Sequence, residues 1–434
     1  MPPVSPSILR ALLTVWACVL LVPSADAARF MSWNTLNFPG PSGPSREDDF
    51  RAVVGAVGPD ILVCMEIQSL SGAQQFLNNV MNTVEPGAWT LASFSNSNDT
   101  ERCLFYRSSA FTEIAHGQVP TALRTIEWWQ MRPVGYSSSA ADLYVHVVHL
   151  KASTGGTNEA KRLAEVQILR THLESLPAGA NIVVAGDFNI YDNGEPAWAE
   201  LTGSQANNAG QLFDPINRVG NWHNNASFSD IHTQSTRTTH VGDGGATGGM
   251  DDRFDFVLAN DDMLDDESLD LRELTYEAFG QDGFHFNLDV NAAPTNAAVG
   301  QALANNLQAA SDHLPVVVDL QLPAILQLSG NLDFGEVLVG TPLQGSFSVA
   351  NPAAANSDEL DASVISSPPF SAFPTSAQVA AGSAATIDVF VNTAVEGPFG
   401  VSIAVNSDAA DLPSQAMGAS VNVEIGRASC RERV

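Results

Sequence analysis

Ser311-Asp312-His313-Leu314-Pro315 leads directly into Val316-Val317-Val318-Asp319-Leu320, a β-branched run that predicts a buried strand. Such a strand would hold His313 at its beginning, on the rim of a sheet. Neighbouring residues of an extended chain point to opposite sides, so Asp312 and His313 would face in different directions. Taken alone, an Asp-His pair is more typical of a surface loop, and the rest of the chain has to decide its role.

Residues 29–322 alternate apolar strand-like runs with helical stretches. Helical periodicity occurs in Arg46–Val57 and Glu159–Leu176. The predicted strands are Arg29–Asn34, Asp60–Met65, Cys103–Tyr106, Leu143–His149, Ile182–Ala185, Phe254–Leu258 and Val316–Leu320. This alternation predicts one domain over residues 29–322, an α/β sandwich with a large core.

Residues 326–423 differ in composition and predict a second domain. Charge is sparse, Ser, Ala, Val, Pro and Gly dominate, and the short alternating runs are typical of a small all-β sandwich. Leu332–Gly340 followed by Phe347–Asn351 resembles the opening of immunoglobulin-like modules of the ASPM/SPD-2/Hydin kind. The predicted join is Leu322-Pro323-Ala324. The sandwich carries no catalytic motif, and we expect it to serve attachment to a surface or a partner.

Both ends of the chain look like additions to the fold. Residues 1–28 combine Arg10, a short apolar core and Ala25-Asp26-Ala27, which is the pattern of a secretory signal peptide. We therefore expect a secreted protein, either extracellular or periplasmic, without stable membrane insertion. Residues 424–434 match nothing before them and read as a translated sequencing adapter, with a natural basic tail as the alternative.

The charge balance restricts the substrate. The formal net charge is −29, and because the tail contributes one net positive charge, the part between the two ends carries −30. Such a protein does not attract polyanions through its overall field, so a nucleic-acid substrate would require a locally basic site, bound cations or high salt. Cys64 and Cys103, the cysteines outside both ends, can form a disulfide in an exported protein or remain buried thiols.

Polar side chains stand at the ends of most predicted strands of the first domain. They are Asn34, Glu66, His149, Asp187, Asn189, Asp255, Asp312 and His313. Strand ends on one rim converge in space, which is how α/β folds usually build a site. We therefore expect these side chains to meet.

Each of these residue types has a chemical use at such a rim. Mg²⁺ binds few carboxylate oxygens and keeps positions for water and phosphate, which suits Glu66. Asp187 and Asn189 are two residues apart and can face one side, where a carboxylate takes a proton from water and an amide orients phosphate. A histidine held by an acid, His313 with Asp255, can stay cationic and neutralise charge on phosphoryl oxygens.

Six short motifs follow one another along residues 29–322. They are Trp33-Asn34, Met65-Glu66, His149-Leu150-Lys151, Gly186-Asp187-Phe188-Asn189, Asp252-Arg253-Phe254-Asp255 and Ser311-Asp312-His313. In this order they resemble the endonuclease/exonuclease/phosphatase superfamily, the DNase I-like group that also includes AP endonucleases, neutral sphingomyelinases and inositol-polyphosphate phosphatases. The resemblance implies a four-layer α/β sandwich and a phosphoesterase that depends on Mg²⁺, with Mn²⁺ as a substitute.

The resemblance also implies roles for single residues. Asn34 and Glu66 match the first metal-binding pair, and Asp312 matches a second contact to metal or water. Asp187 and Asn189 match the residues that activate and place the attacking water.

The same resemblance covers proton transfer and phosphate binding. Asp255 and His313 match the acid–imidazole pair, and His149 matches a DNase I-branch histidine that protonates the leaving oxygen. Glu101 resembles the acid that orients this histidine, with an ordinary surface acid as the alternative. Arg132 resembles an arginine that binds the substrate phosphate.

Some charged residues allow two interpretations. Lys151 and Arg162 could bind a substrate phosphate, although Glu159-Ala160-Lys161-Arg162 also looks like the exposed start of a helix. The acidic run Asp261–Glu267 is typical of a solvated loop, with a structural Ca²⁺ site as the alternative.

Two substrate classes remain open. His149 and Arg132 favour a secreted nuclease acting on DNA, with RNA as an additional substrate, whereas the acidic charge disfavours it. The alternative is a phosphoesterase acting on a lipid or small phosphoester such as sphingomyelin, for which Glu127-Trp128-Trp129-Gln130 would be the membrane-touching loop. The intact motif set argues against a non-catalytic surface protein.

Overall fold

The computed structural model describes residues 28–40, 43–97 and 99–426. The predicted signal peptide, apart from Ala28, and residues 427–434 of the predicted tail lie outside the described residues. Ala28 is the first residue of a strand and lies opposite Leu320. Within the described part of the chain, no helix is long and apolar enough to span a membrane.

The first domain contains strands and helices in alternation. The strands are β1 Ala28–Phe38, β2 Ile61–Ile67, β3 Trp89–Leu91, β4 Glu101–Arg107, β5 Phe111–Val119, β6 Ile126–Pro133, β7 Leu143–His149, β8 Asn181–Asp187, β9 Asp255–Ala259, β10 Asp270–Ala278 and β11 Val316–Gln321. The helices are α1 Gly43–Val57, α2 Leu70–Phe76, α3 Asn82–Val84, α4 Gly156–Leu173, α5 Pro196–Thr202 and α6 Gly300–Ala310. A π-helical turn, Leu77–Met81, joins α2 to α3.

Two sheets form the middle of this domain. One has the strand order β10-β11-β1-β2-β4-β3 and the other β5-β6-β7-β8-β9. Alternation along β1 shows how the layers arise, because Phe30 packs between the sheets whereas Met31 and Trp33 pack against the helices. The other sheet is covered on its outer side by α4 and α5. The predicted four-layer α/β sandwich is therefore confirmed.

An aromatic cluster locks α1 onto the first sheet. Phe50 of α1 lies 4.9 Å from Trp33, 5.5 Å from Phe38 and 5.2 Å from Phe76, measured between ring centroids, in edge-to-face contacts. Truncating a buried phenylalanine to alanine costs about 3–5 kcal/mol. This cluster sits directly beneath the end of β1 and stabilises the segment that carries Asn34.

Strand directions bring the motif residues to one rim. In the second sheet, the parallel β7–β8 pair sets His149 beside Asp187, and the antiparallel β8–β9 pair sets Asp187 beside Asp255. In the first sheet, the parallel β1–β2 pair sets Asn34 beside Met65, so that Glu66 follows next to it. Because β11 runs antiparallel to β1, the segment before β11 comes to the same rim.

Residues 327–424 form two further sheets. Their strands are β12 Gln327–Gly330, β13 Leu332–Leu338, β14 Leu343–Asn351, β15 Leu360–Ile365, β16 Phe370–Phe373, β17 Ser376–Val379, β18 Ser383–Val391, β19 Gly397–Ser407 and β20 Ser414–Glu424. The orders are β12-β14-β18-β16 and β13-β20-β19-β15-β17, and the two inner faces share one apolar core. The predicted all-β sandwich is confirmed.

The sandwich contacts the far rim of the catalytic sheets. The Asp411 carboxylate accepts hydrogen bonds from the backbone amides of Ser137 and Ser138, in the connection between β6 and β7. Ser268 N donates to Asp358 Oδ2 at 2.7 Å. These contacts lie at the C-terminal end of β11, whereas His313 lies before its N-terminal end.

Three carboxylates also meet at this interface. Oxygen atoms of Glu267, Asp358 and Asp408 lie within 4.8 Å of one another. Burial and the neighbouring acids raise the pKa of Asp358 to about 6. Glu267 is thus the member of the acidic run Asp261–Glu267 that belongs to this group of three carboxylates, whose spacing is compatible with a cation. A structural Ca²⁺ at the acidic run stays a prediction.

Candidate active site

The centre of the rim is an asparagine held between two acids. Asn34 Nδ2 donates to Glu66 Oε1 at 3.1 Å and to Asp187 Oδ2 at 3.2 Å. Glu66 has a left-handed backbone with φ of 63°, which turns its carboxylate out of β2, and Asn37 N donates to its Oε2 at 3.0 Å. Burial raises the pKa of Glu66. Asn34 thus presents its amide nitrogen, and not its oxygen, to the acids.

Asp187 is a buried carboxylate with an unusual affinity for protons. Burial is the main cause that raises its pKa to about 7, and Asp255 and Glu66 add to the shift while His313 opposes it. Asn189 N donates to Asp187 Oδ1 at 3.0 Å. Gly186 permits this arrangement, because a Cβ there would lie 2.0 Å from Val148 O.

His313 is held as a cation. Its Nδ1 donates to Asp255 Oδ2 at 2.7 Å, and Thr233 Oγ1 donates to the same oxygen at 2.7 Å. Burial lowers the pKa of His313, but Asp255 and Asp312 outweigh it and raise the pKa well above the usual value. Trp33 Nε1 donates to His313 O at 2.9 Å and anchors the backbone.

Gln234 is a site residue that the sequence did not reveal. Its Nε2 lies 2.5 Å from His313 Nε2 and 3.5 Å from Asp312 Oδ2. A cationic imidazole donates from both nitrogens, so the chemically compatible partner is the amide oxygen of Gln234. Gln234 lies in a segment without periodicity and reaches the rim through isolated bridges to His313 and Asp252, which leave no pattern in the sequence.

His149 faces the same carboxylates from the other side. Its Nε2 lies 3.7 Å from Glu66 Oε1 and 3.7 Å from Asp187 Oδ2. Burial lowers the pKa of His149 well below the usual value, and nearby Arg124 and Arg102 lower it further. The ring is therefore neutral here, and an arriving phosphate would supply the negative charge that favours its protonation.

The predicted support of His149 by Glu101 is absent. The Glu101 carboxylate instead accepts from Ser97 N at 2.9 Å. Within the described residues, His149 Nδ1 has no hydrogen-bond partner. Glu101 begins β4, and its side chain closes the preceding loop at Ser97.

The prediction for Arg132 is wrong. Its Nε and Nη2 hold the Asp142 carboxylate, with Nη2–Oδ2 at 2.8 Å. Because β6 and β7 are antiparallel, Arg132 lies near Leu143, at the opposite end of β7 from His149. At about 3.3 Å per residue, the length of β7 places it about 20 Å from the site.

The predicted phosphate contact of Arg162 is also wrong. Arg162 is wholly buried, and its Nε and Nη2 bind Glu195 at 2.8 and 2.9 Å. Its Nη1 donates to Lys151 O and Ser153 O, so Arg162 shapes the loop after β7. Lys151 is half-buried and its Nζ donates to Ala152 O at 2.8 Å, so its role in phosphate binding stays a prediction.

Arg124 is a cation near the site that the motifs did not indicate. Its Nη1 donates to His149 O and Leu150 O, each at 3.4 Å, and its Nε binds Asp99 at 2.7 Å. It precedes β6, and the antiparallel pairing of β6 with β7 brings the start of β6 to His149. Arg132 and Arg124 thus lie at opposite ends of one strand.

The rim is suited to a hard divalent cation. Its donors are carboxylate oxygens of Glu66, Asp187 and Asp312, and no cysteine is among them. Asp312 Oδ2 accepts from Ala246 N at 2.6 Å, whereas its Oδ1 is buried and has no partner within the described residues. A buried unpaired carboxylate oxygen is costly, and a bound cation would satisfy it. Glu66 and Asp312 are therefore the residues that fit the metal.

A four-layer α/β sandwich that gathers these acids and two histidines on one rim defines a metal-dependent phosphoester hydrolase. The model of the Endonuclease/Exonuclease/phosphatase family matches residues 31–313. The chain belongs to this family, whose members are phosphoester hydrolases that typically depend on a divalent metal, commonly Mg²⁺. No curated protein sequence matches the chain.

Several solved structures are similar. A humanized TDP2 of D. rerio carrying 14 mutations is 13% identical, with 68% of this chain and 98% of that chain covered and a TM-score of 0.45. The human Nocturnin catalytic domain is 16% identical, with 68% and 94% covered and a TM-score of 0.42. An endonuclease/exonuclease/phosphatase from Beutenbergia cavernae DSM 12333 is 15% identical, with 90% and 99% covered and a TM-score of 0.40.

Proposed function

We propose that this protein is a secreted, Mg²⁺-dependent phosphodiesterase that hydrolyses DNA, and RNA as an additional substrate. The observation that carries the proposal is the placement of two imidazoles around one carboxylate. His149 Nε2 lies 3.7 Å and His313 Nε2 lies 3.8 Å from Asp187 Oδ2. Diester hydrolysis needs a base, a charge to stabilise the phosphoryl oxygens and an acid for the leaving oxygen, and this trio supplies all three.

Each side chain has one step in this mechanism. Asp187 takes a proton from water as the water oxygen bonds to phosphorus, and its pKa of about 7 suits a base at neutral pH. Asn189 lies beside it and orients the water or the phosphate. The cationic His313 neutralises charge on the phosphoryl oxygens. As the P–O bond breaks, His149, protonated in the presence of the phosphate, gives its proton to the leaving oxygen.

Glu66 and Asp312 would hold the cation. Mg²⁺ held there would neutralise phosphate charge and make water easier to deprotonate. Mn²⁺, with its similar oxygen preference, would substitute. In a chain of net charge −29, such a cation also offsets the repulsion of a polyanionic substrate.

The lipid alternative loses the membrane contact that was predicted for it. Glu127-Trp128-Trp129-Gln130 lies in β6 and is not a loop. Trp129 is wholly buried, and Trp128 packs against His146 and His172. The candidate membrane contact is therefore part of a folded layer.

Secretion rests on the leader-like residues 1–28, and fractionation of expressing cells tests it. Export is supported if the protein is recovered outside the cytoplasm with the leader removed, and it is refuted if the leader persists on cytoplasmic protein.

The test of function is a substrate comparison with the purified protein. Plasmid DNA, RNA, sphingomyelin and bis(p-nitrophenyl) phosphate are incubated with Mg²⁺, with Mn²⁺ and with EDTA. We expect cleavage of DNA and of the small diester with either metal and none with EDTA. Turnover of sphingomyelin without cleavage of any nucleic acid would overturn the proposal in favour of the lipid alternative.

A further inference from the structure

A cleft of about 460 Å³ lies beside the active site, under the glycine-rich segment 241–249. Two buried arginines line it, Arg46 of α1 and Arg237, with 5% and 2% of their surfaces exposed. Neither has a part in the mechanism above. Some of the N–H groups of these two arginines have no hydrogen-bond acceptor among the described residues.

One edge of the Arg237 guanidinium makes no hydrogen bond to the described residues. Its Nη1 donates to Asp243 Oδ2 at 2.7 Å, whereas its Nε and Nη2 are buried and have no partner within the described residues. These two nitrogens form the fork that binds an oxyanion through two parallel hydrogen bonds. The same two atoms of Arg162 hold Glu195, and those of Arg29 hold Asp319. On Arg237 this fork has no carboxylate.

Arg46 adds a buried charge that lacks a counter-ion. Its Nη1 and Nη2 donate to the backbone oxygens of Thr35, Leu36 and Ala310, and its Nε has no partner within the described residues. In the described part of the chain, no carboxylate lies within ion-pair distance of Arg46. A buried charge without a counter-ion is costly, so an anion in this cleft would be stabilised.

The acids of the cleft are already occupied. Asp243 binds Arg237 and accepts from Gly245 N at 3.1 Å. Asp49 accepts from Asn306 Nδ2 at 2.8 Å. Among the described residues that line the cleft, the buried side-chain atoms without a hydrogen-bond partner are Nε of Arg46 and Nε and Nη2 of Arg237, and these donors favour an anionic ligand over a cation.

The cleft is separated from the catalytic rim by a single glycine. A Cβ on Gly245 would lie 3.2 Å from Arg237 Nη2, 3.2 Å from Asp312 Cβ and 3.0 Å from Leu36. Leu36 N in turn donates to Asn34 Oδ1 at 3.0 Å. A ligand held by Arg237 would thus lie next to the group bound at Asp312.

We propose that Arg237 and Arg46 form a phosphate-binding subsite beside the catalytic centre. It receives a phosphate that is not cleaved, either a second phosphate of the substrate or free inorganic phosphate. The first source rests on the proposed function, since a nucleic acid carries a neighbouring phosphate whereas a single diester does not. A local cationic subsite is also what an acidic nuclease requires to hold its substrate.

Inorganic phosphate binding by the full-length protein in EDTA tests the subsite, because phosphate at the catalytic rim would depend on the metal. We expect saturable binding by calorimetry, weakened at least tenfold in Arg237→Met and partly restored in Arg237→Lys. Arg218→Met, which removes the same charge from an exposed pair with Asp230, is the matched control and should bind as the wild type. Absence of saturable binding, or unchanged binding in Arg237→Met, would overturn the proposal.

A second variant guards against misfolding. Arg237→Met leaves Asp243 unpaired, so the double variant Arg237→Met/Asp243→Asn removes both charges together. If the double variant melts like the wild type, its loss of phosphate binding supports the subsite. Retained binding in a folded double variant refutes it.

Kinetics distinguishes the two sources of phosphate. For a 5′-phosphorylated dinucleotide, Arg237→Met should raise KM at least tenfold, with kcat/KM for bis(p-nitrophenyl) phosphate unchanged. Unchanged kinetics on both substrates, with phosphate binding lost, assign the subsite to free phosphate. If the wild type cleaves neither substrate, the proposed function fails, whereas the phosphate binding measured in EDTA still decides the subsite.

Discussion

Asp255→Asn removes the charge that holds His313 in its cationic form, with little change of shape. The two side chains are 2.7 Å apart between Nδ1 and Oδ2, and both are buried. At an effective dielectric constant of about 20, unit charges about 4 Å apart attract by about 4 kcal/mol. This attraction favours the cationic form of His313 and is the main reason that its pKa is raised. We expect the pKa of His313 to fall in the variant.

The consequence for catalysis depends on pH. Above its lowered pKa, His313 would be neutral in the variant, and kcat at pH 8 should fall by about 10²–10³-fold, as for loss of a transition-state donor. As the pH is lowered and His313 regains its proton, the rate of the variant relative to the wild type should rise, because protonation of Asp187 slows both proteins alike. The His313 pair also contributes stability that is complete below the unfolded pKa of about 6.5 and is lost as pH rises through the higher folded pKa. The variant should therefore lose more stability at pH 6 than at high pH.

Two measurements check this prediction. NMR titration of the His313 ring in metal-free protein reports its pKa directly, and kcat against pH with bis(p-nitrophenyl) phosphate reports the effect on rate. Asp252→Asn is the matched control, since Asp252 stands three residues earlier and binds His223 Nδ1 at 2.6 Å. If His313 titrates identically in Asp255→Asn and the wild type, the assignment of Asp255 as its electrostatic partner is wrong.

Four more outcomes are expected. Asp187→Ala should reduce kcat at least a hundredfold with only a modest fall in melting temperature, and near-native turnover would mean that another base acts. Arg162→Met should lower the free energy of unfolding by about 3–5 kcal/mol, because it leaves the buried Glu195 carboxylate without its arginine, and denaturant titration measures this loss. Arg132→Met should keep the wild-type kcat/KM, which steady-state kinetics measures. A chain ending at Pro323 should hydrolyse the small diester at the full-length rate, since the contacts between the sandwich and the first domain that the structure describes lie at the far rim. A folded but inactive truncation would show that residues 326–423 contribute to the site. DNA binding should weaken little between low and moderately high salt at constant Mg²⁺, because few cations face the substrate, and a steep loss in a filter-binding assay would reveal a basic surface.

The parts of the site that the sequence predicted are those determined by strand order. Glu66, His149, Asp187 and His313 each stand at a strand end, and the pairing of adjacent strands carries them to one rim whatever the loops do. Strand direction also explains why the prediction for Arg132 is wrong. Its motif is at the end of β6, but the strand runs away from the site, and strand direction cannot be read from a short motif.

Burial and loop geometry were the unpredictable parts. Arg162 lies on the inner face of α4, where its fork is used by Glu195, and the helical pattern alone did not distinguish this face from an exposed one. Gln234 and Arg237 lie in a long irregular segment, where position depends on tertiary contacts and not on periodicity. Asn34 was predicted as a metal ligand, yet its amide nitrogen faces Glu66 and Asp187.

The contact between Asp411 and the β6–β7 connection has a mechanical consequence. It sits at one end of the long axis of the catalytic sheets, and the active rim sits at the other, about 20 Å away along β11 at about 3.3 Å per residue. If the protein were attached to a surface through the outer faces of its sandwich, its active-site rim would therefore face away from that surface. A long polymer could then thread past the rim without colliding with whatever holds the enzyme in place.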